Sequence, residues 1–151
     1  MKYELTDETN GSGLRRIRAL RDIPRYGVNE GDLGGWVESE GNLTQEGDCW
    51  VSGNARVFGN AMVLGAAHVF GNARVFGDAH VFDDAQVFDD AWVFDAVVFD
   101  DARVCGNAMV CGNALVCGNA VVFDNARVCG DARVGGNARV FDAAVCGGTT
   151  S

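Results

Sequence analysis

The sequence predicts an all-β solenoid, in which a single chain winds into stacked coils of parallel strands. A six-residue repeat runs from Gly53 to Cys146, and no apolar pattern of helical period occurs in that stretch. Hydrophobic residues make up 48% of the chain, which is too many for a disordered low-complexity segment. These observations together favour one folded domain built by repetition.

The repeat reads Gly/Asp, then Asn/Asp, then Ala-x-Val-x, over sixteen units, of which two lack the second position. Alanine and valine recur at the third and fifth positions, and alternate side chains of a strand point to opposite faces. We therefore expect Ala and Val to line the core and the variable positions to point outward. The Gly/Asp and Asn/Asp pair is typical of a tight turn, since these residues tolerate positive φ.

A strand of four residues and a turn of two make a coil with flat sides. Three sides would use about 18 residues, and coils would stack about 4.8 Å apart. If three units make one turn, the outward rows are Arg56, Arg74, Trp92, Met109, Arg127 and Ala144 on the first face, Met62, His80, Val97, Leu115 and Arg133 on the second, and His68, Gln86, Arg103, Val121 and Arg139 on the third.

The ends of the chain depart from the repeat. Residues 1–34 predict a β-hairpin cap with strands at Lys2–Thr9 and Leu14–Ile23, joined by the turn Asn10–Gly13. Residues 35–52 keep the six-residue step with varied core positions, as expected of an irregular first coil that seals the stack. Regular repeats follow over 53–146, so the β-helix spans 35–146. Residues 147–151 predict a flexible tail.

The stretch GDLGGWVESEGNLTQEGDCWV, continuing into GNARVFGNA repeats, resembles the YdcK-like bacterial and phage proteins of the hexapeptide-repeat superfamily. The resemblance implies a left-handed parallel β-helix, often trimeric and often labelled an acyltransferase. The left hand rests on the resemblance alone, because crossovers between parallel strands are otherwise right-handed.

The resemblance implies, for an enzyme, a catalytic histidine near a subunit interface and coenzyme A as acyl donor. Only His68 and His80 are available, and they fall on different predicted faces. Arg, Gln and Met fill the same outward position in other units. The sequence therefore favours a chain without a catalytic site or cofactor, and an acyltransferase acting at a trimer interface is the alternative.

Seven aspartates in four consecutive units form an acidic belt around the predicted coils: Asp83, Asp84, Asp89, Asp90, Asp95, Asp100 and Asp101. Turn formation and solubility account for them most simply. Weak Ca²⁺ binding and a phage decoy surface for a basic host protein are the alternatives. With a net charge of −9, whose acidic excess lies after residue 34, the repeats are not expected to bind nucleic acid.

Phenylalanines fill the last position of many units, which strand alternation points outward. Rows of exposed rings exceed what a soluble monomer shows. Either the rings lie flat over the corners, stacking on their equivalents in neighbouring coils, or the rows form an oligomer interface, which is the interpretation favoured here. The rings proposed to associate are Phe58, Phe76 and Phe94, then Phe70 and Phe88, and then Phe82 and Phe99. A homo-oligomer is expected, either a trimer or coils stacked end to end, because open coil edges invite pairing.

The six cysteines are interpreted as reduced thiols, because all but Cys49 occupy one repeat position as small apolar filler. An in-register ladder also disfavours the torsion of a disulfide.

Met1–Asn10 is polar and unlike a signal peptide, and no apolar run approaches the roughly 18 residues of a membrane helix. A cytoplasmic protein without a membrane segment is expected, working as a self-associating scaffold or binding module with a possible protein partner.

Overall fold

The computed structural model describes every residue from Met1 to Ser151 and consists of short strands and two 3₁₀ turns, Pro24–Tyr26 and Glu40–Asn42. None of its elements is a helix with the length and apolarity needed to cross a membrane. In chain order the strands are β1 Tyr3–Thr9, β2 Arg15–Ala19, β3 Leu33–Val37, β4 Trp50–Val51, β5 Arg56–Val57, β6 Met62–Val63, β7 His68–Val69, β8 Arg74–Phe76, β9 His80–Val81, β10 Gln86–Val87, β11 Trp92–Phe94, β12 Val97–Val98, β13 Arg103–Val104, β14 Met109–Val110, β15 Leu115–Val116, β16 Val121–Phe123, β17 Arg127–Val128, β18 Arg133–Val134, β19 Arg139–Phe141, β20 Ala144–Val145 and β21 Thr149–Thr150.

The strands form three sheets, one for each side of the coil. Face 1 contains β5, β8, β11, β14, β17 and β20, and it is extended by β3, β2 and β1. Face 2 contains β6, β9, β12, β15, β18 and β21, and face 3 contains β4, β7, β10, β13, β16 and β19. The predicted three-sided parallel solenoid is therefore confirmed. The left-handed turn implied by the resemblance stays a prediction.

Each predicted outward row is confirmed by the strand register. Arg56 pairs with Arg74 on face 1, Met62 pairs with His80 on face 2, and Gln86 lies between His68 and Arg103 on face 3. The two short units do not break this register, because Trp92 still pairs with Met109 and Arg127 with Ala144.

The repeated alanines and valines fill the centre of the coils. Every such residue from Ala55 to Val134 is fully buried. The strands contain two or three residues rather than the predicted four. The N–H of the repeat alanine donates to a carbonyl three residues earlier, within the turn, and not to a neighbouring strand. The Ala61 N–H, for example, donates to the Phe58 carbonyl at 3.4 Å, and the Ala73 carbonyl accepts from the Arg56 N–H of the coil before it at 2.9 Å.

Residues 1–37 cover the N-terminal end of the solenoid. β1 and β2 form an antiparallel pair, β2 continues antiparallel to β3, and β3 joins the coils in parallel with β5. Side chains of this cap donate to backbone carbonyls of the first coil. The Lys2 ammonium reaches the Cys49 carbonyl at 2.6 Å, and the Tyr3 hydroxyl reaches that of Leu43. Carbonyls without a further coil to pair with are thereby satisfied.

The segment 147–151 differs from the predicted flexible tail. Thr149 and Thr150 form β21 and pair in register with Arg133 and Val134. The pairing gives the backbone of β18 the hydrogen bonds that a further coil would supply, as between the Gly135 N–H and the Thr150 carbonyl at 2.8 Å. These residues therefore continue face 2.

Candidate functional site

His68 lies under the N-terminal cap. Its ring is stacked between Tyr26, at 4.1 Å between centroids, and Phe70, at 4.4 Å. Its Nε2 lies 2.9 Å from the Ser52 hydroxyl. Burial lowers the pKa of His68 from 6.5 to about 4, because an apolar surrounding disfavours the imidazolium. At neutral pH the ring is an uncharged, covered group.

Tyr26, which covers His68, is a residue that sequence reasoning did not find. It ends the 3₁₀ turn Pro24–Tyr26, and its hydroxyl donates to the Ala66 carbonyl. The neighbouring Arg25 forms an ion pair with Asp84, 2.7 Å apart. No periodic signal could reveal these contacts, since residues 1–34 do not repeat.

His80 occupies a different surface, on β9 of face 2 between Met62 and Val97. Its Nδ1 lies 3.0 Å from the Asp78 carbonyl oxygen. When Nδ1 carries the proton it donates to that carbonyl, and Nε2 is left as an acceptor. The chain therefore does not bring the two histidines together.

The phenylalanines form ladders along the coils. Phe76 stacks between Phe58 and Phe94, with centroids 5.0 and 4.9 Å away. Phe70 and Phe88 stack at 4.8 Å, and Phe82 and Phe99 at 5.2 Å. Eight of the nine rings are only partly exposed, and Phe141 alone is open, at 54%. Stacking within a ladder covers much of each ring, so the rows are partly exposed and not fully open. Their role as an oligomer interface stays a prediction.

The acidic belt separates into two kinds of aspartate. Those in the first turn position adopt positive φ, among them Asp83, Asp89, Asp95 and Asp100. Their carboxylates accept backbone N–H groups of a neighbouring coil, as Asp89 does from Gly106 at 3.0 Å. These aspartates therefore replace glycine in the turn and also tie two coils together.

Aspartates in the second turn position contact other side chains and not the backbone. Asp84 pairs with Arg25, and Asp90 accepts from the Asn72 amide at 3.2 Å. A shallow groove of about 580 Å³ runs between the corners at Asp83, Asp84, Asp100 and Asp101. No three acidic, histidine or cysteine side chains converge as metal ligands. The groove therefore offers no assembled set of ligands for the Ca²⁺ considered above.

Face 2 differs from the other two faces in its lack of charge. Its outward row reads Met62, His80, Val97 and Leu115 before the first charged residue, Arg133. The adjoining last positions hold Leu64, Phe82, Phe99 and Cys117, all partly exposed. Face 1 carries Arg56, Arg74 and Arg127 in its row, and on face 3 the cap covers His68. Face 2 is therefore an apolar sheet surface with no segment of this chain over most of it.

The sequence predicts that all six cysteines are reduced, and this prediction is wrong for two of them. Cys129 and Cys146 are joined by a disulfide, with Cα atoms 4.6 Å apart. The separation of stacked coils places equivalent Cα atoms inside the range that a disulfide spans. Cys49, Cys105, Cys111 and Cys117 are free thiols. Burial raises the pKa of the Cys111 thiol.

The family profile of the YdcK β-solenoid repeat matches this chain at residues 51–65, 55–69, 102–118 and 132–148. These stretches are similar to YdcK-type β-solenoid repeats. The matches lie in the first regular coils, in the middle and at the C-terminal end, so the similarity extends along the solenoid. The predicted resemblance is confirmed. No curated protein matches the chain significantly.

Proposed function

We propose that this solenoid is a self-associating scaffold or binding module, and that face 2 is where two copies meet. The observation that carries the proposal is the uncharged surface along the first four coils of this face, from Met62 to Leu115. An apolar patch of this kind on a soluble chain usually contacts another protein.

The size of the uncharged part of face 2 fits a weak, concentration-dependent dimer contact. Four strands about 4.8 Å apart and six residues of about 3.3 Å each give roughly 19 by 20 Å, or about 380 Å² for each partner. The sum for two copies is about 760 Å², below the roughly 1,000 Å² of a stable interface and in the range of transient contacts. The rows on both copies share one spacing, so side chains of one copy fit between those of the other.

The surroundings of face 2 also suit an interface. Asp83, Asp84, Asp100 and Asp101 line one edge of it, and a polar rim around an apolar centre is typical of protein contacts. A second copy is the occupant we favour, because its face has the same repeat and the same lack of charge.

The proposal is tested by placing a charge at the centre of face 2. Val97→Arg should make the protein monomeric in size-exclusion chromatography with light scattering, since an unpaired guanidinium would be buried between the copies. Val121→Arg is the matched control. Val121 fills the same repeat position on face 3, between Arg103 and Arg139, so the control adds an equal charge, and repulsion within the chain, away from face 2.

Two results would contradict this interface. A wild-type protein that stays monomeric at micromolar concentration would exclude self-association under those conditions. If Val97→Arg and Val121→Arg shift the assembly equally, the copies meet elsewhere. Unchanged melting temperatures for both variants show that loss of assembly does not reflect unfolding.

The acyltransferase is a second candidate function, favoured by the position of His80 on the same face. A histidine that acts as a general base commonly donates from Nδ1–H to a carbonyl, which leaves Nε2 free to accept a proton from the substrate. We expect such an enzyme to bind acetyl-CoA, measured calorimetrically, and to lose its acyl transfer in His80→Ala. Absence of acetyl-CoA binding by the assembled wild type would remove this candidate and leave the scaffold untouched.

A further inference from the structure

Arg56 and Arg74 on face 1 lie side by side without a counterion. They pair in register on β5 and β8. The five arginines of the cap that follow Thr9 each pair with a carboxylate, but neither Arg56 nor Arg74 does so. Like charges directly opposite each other on neighbouring strands destabilise a sheet. An anion between them would remove this repulsion.

Arg56 and Arg74 both line a pocket between the cap and face 1. The pocket has a volume of about 270 Å³, and its lining residues are Ser12, Leu14, Glu38, Arg56, Phe58 and Arg74. Leu14 is 5% exposed, and Phe58 is partly covered by Phe76. The turn before β2 therefore forms one wall, and apolar side chains adjoin both arginines.

The other charged group of the pocket, Glu38, is held by the backbone. Its Oε1 accepts the Gly59 N–H at 3.1 Å, and it forms an ion pair with neither arginine. Arg74 is positioned from the opposite side, because its guanidinium lies over the Trp92 ring at 5.3 Å from the centroid. Arg74 is thus oriented by Trp92, and neither its guanidinium nor that of Arg56 is in an ion pair with a carboxylate of the chain, so their donors stay available.

We propose that this pocket binds the phosphate of a small phosphomonoester, with Arg56 and Arg74 as its two clamps. Guanidinium groups match the oxygens of phosphate with paired N–H donors. The Ser12 hydroxyl supplies a further donor at the rim, and Leu14 and Phe58 contact the organic part of the ligand. The site lies on face 1 and does not depend on association through face 2.

The test is calorimetric titration of the full chain with phenyl phosphate and, separately, with inorganic phosphate. Arg56→Ala and Arg74→Ala should each weaken phenyl phosphate binding at least about tenfold, as expected when a hydrogen bond to a charged group is lost. Arg127→Ala is the matched control and should change affinity less than about twofold. Arg127 occupies the same row but lies outside the pocket.

Glu38→Gln gives a result of opposite sign, since removal of a negative charge beside the phosphate should raise the affinity about threefold to tenfold. Phenyl phosphate should bind more tightly than inorganic phosphate because of the apolar wall. No binding of phenyl phosphate at millimolar concentration would overturn the site. Equal losses in Arg56→Ala and Arg127→Ala would also overturn it, since they would indicate attraction to the whole face.

Discussion

The Tyr26 ring stacks on His68 with centroids 4.1 Å apart and an angle of 29° between the ring planes. This contact joins the cap to face 3, and the Arg25–Asp84 ion pair lies beside it. The histidine that could have served as a surface base is thereby part of the packing between cap and solenoid. Its protonation is linked to the stability of that contact.

Stability should decrease as the pH falls from about 6.5 to about 4. Folding holds the pKa of His68 near 4, so over this window the unfolded chain binds a proton that the folded chain does not. The loss attributable to His68 is at most about 3 kcal/mol. Urea unfolding of wild type and His68→Gln across this range checks it, and the variant should show the shallower dependence.

His80→Gln is the control for that measurement, because His80 lies outside the stack with Tyr26. Tyr26→Ala tests the cause directly, since uncovering the ring should move the pKa of His68 upward in an NMR titration. A pKa that does not move would show that the cap is not what desolvates His68.

Asp100→Ala and Asp101→Ala should differ, although the residues are neighbours. Asp100 has a φ of 59° and accepts the Gly118 N–H at 3.0 Å. Alanine there would strain the turn and free that N–H, lowering the free energy of unfolding by about 1–2 kcal/mol. Asp101→Ala should stay within about 0.5 kcal/mol of wild type. Equal losses in denaturant unfolding would show that belt charge, rather than turn geometry, determines the effect.

Phe76→Ala should destabilise the fold more than Phe141→Ala. Phe76 is the central ring of a three-ring ladder, whereas Phe141 ends its row and is 54% exposed. We expect a loss of about 2–3 kcal/mol for Phe76 and less than about 1 kcal/mol for Phe141. Thermal unfolding of both variants measures the difference. If the two variants lose equal stability, stacking between the rings does not contribute measurably to the free energy of unfolding.

Reducing the Cys129–Cys146 disulfide should loosen only the last coil. The bond closes a loop with a sequence separation of 17, for which loop closure contributes up to about 3 kcal/mol. Hydrogen exchange should speed up at the Arg127 and Cys129 amides, which donate to residues 143 and 145. Cys117→Ser is the control and should leave these amides protected. A count of six free thiols under oxidising conditions would contradict the bond.

Self-association should strengthen with salt. Each copy carries a net charge of −9, and raising the salt from about 0.1 M to 1 M shortens the screening length from about 10 Å to about 3 Å. Repulsion between copies then falls while the apolar contact persists. Sedimentation velocity at several concentrations measures the dissociation constant. Association that weakens with salt would indicate ion pairs across the interface instead of face 2.

The interior of this protein could be predicted from its sequence almost completely. Alternation along a strand assigns Ala114 and Val116 to the core, and the six-residue step determines which residues stack, as with Arg56 on Arg74. A repeat makes such predictions reliable because every coil meets the same two neighbours. The phosphate pocket could not be found in this way, since Ser12 and Leu14 come from the part of the chain without a repeat.

Strand alternation and a constant turn predicted the coil and its inward and outward positions and, with three units to a turn, the rows on each face. How these rows are covered depends on the tertiary structure. It placed Tyr26 over His68, stacked the phenylalanines so that they are half-buried, and joined Cys129 to Cys146. The physical reason is that exposure and bonding of an outward side chain depend on distances between coils and on a cap remote in sequence, which a local pattern does not encode.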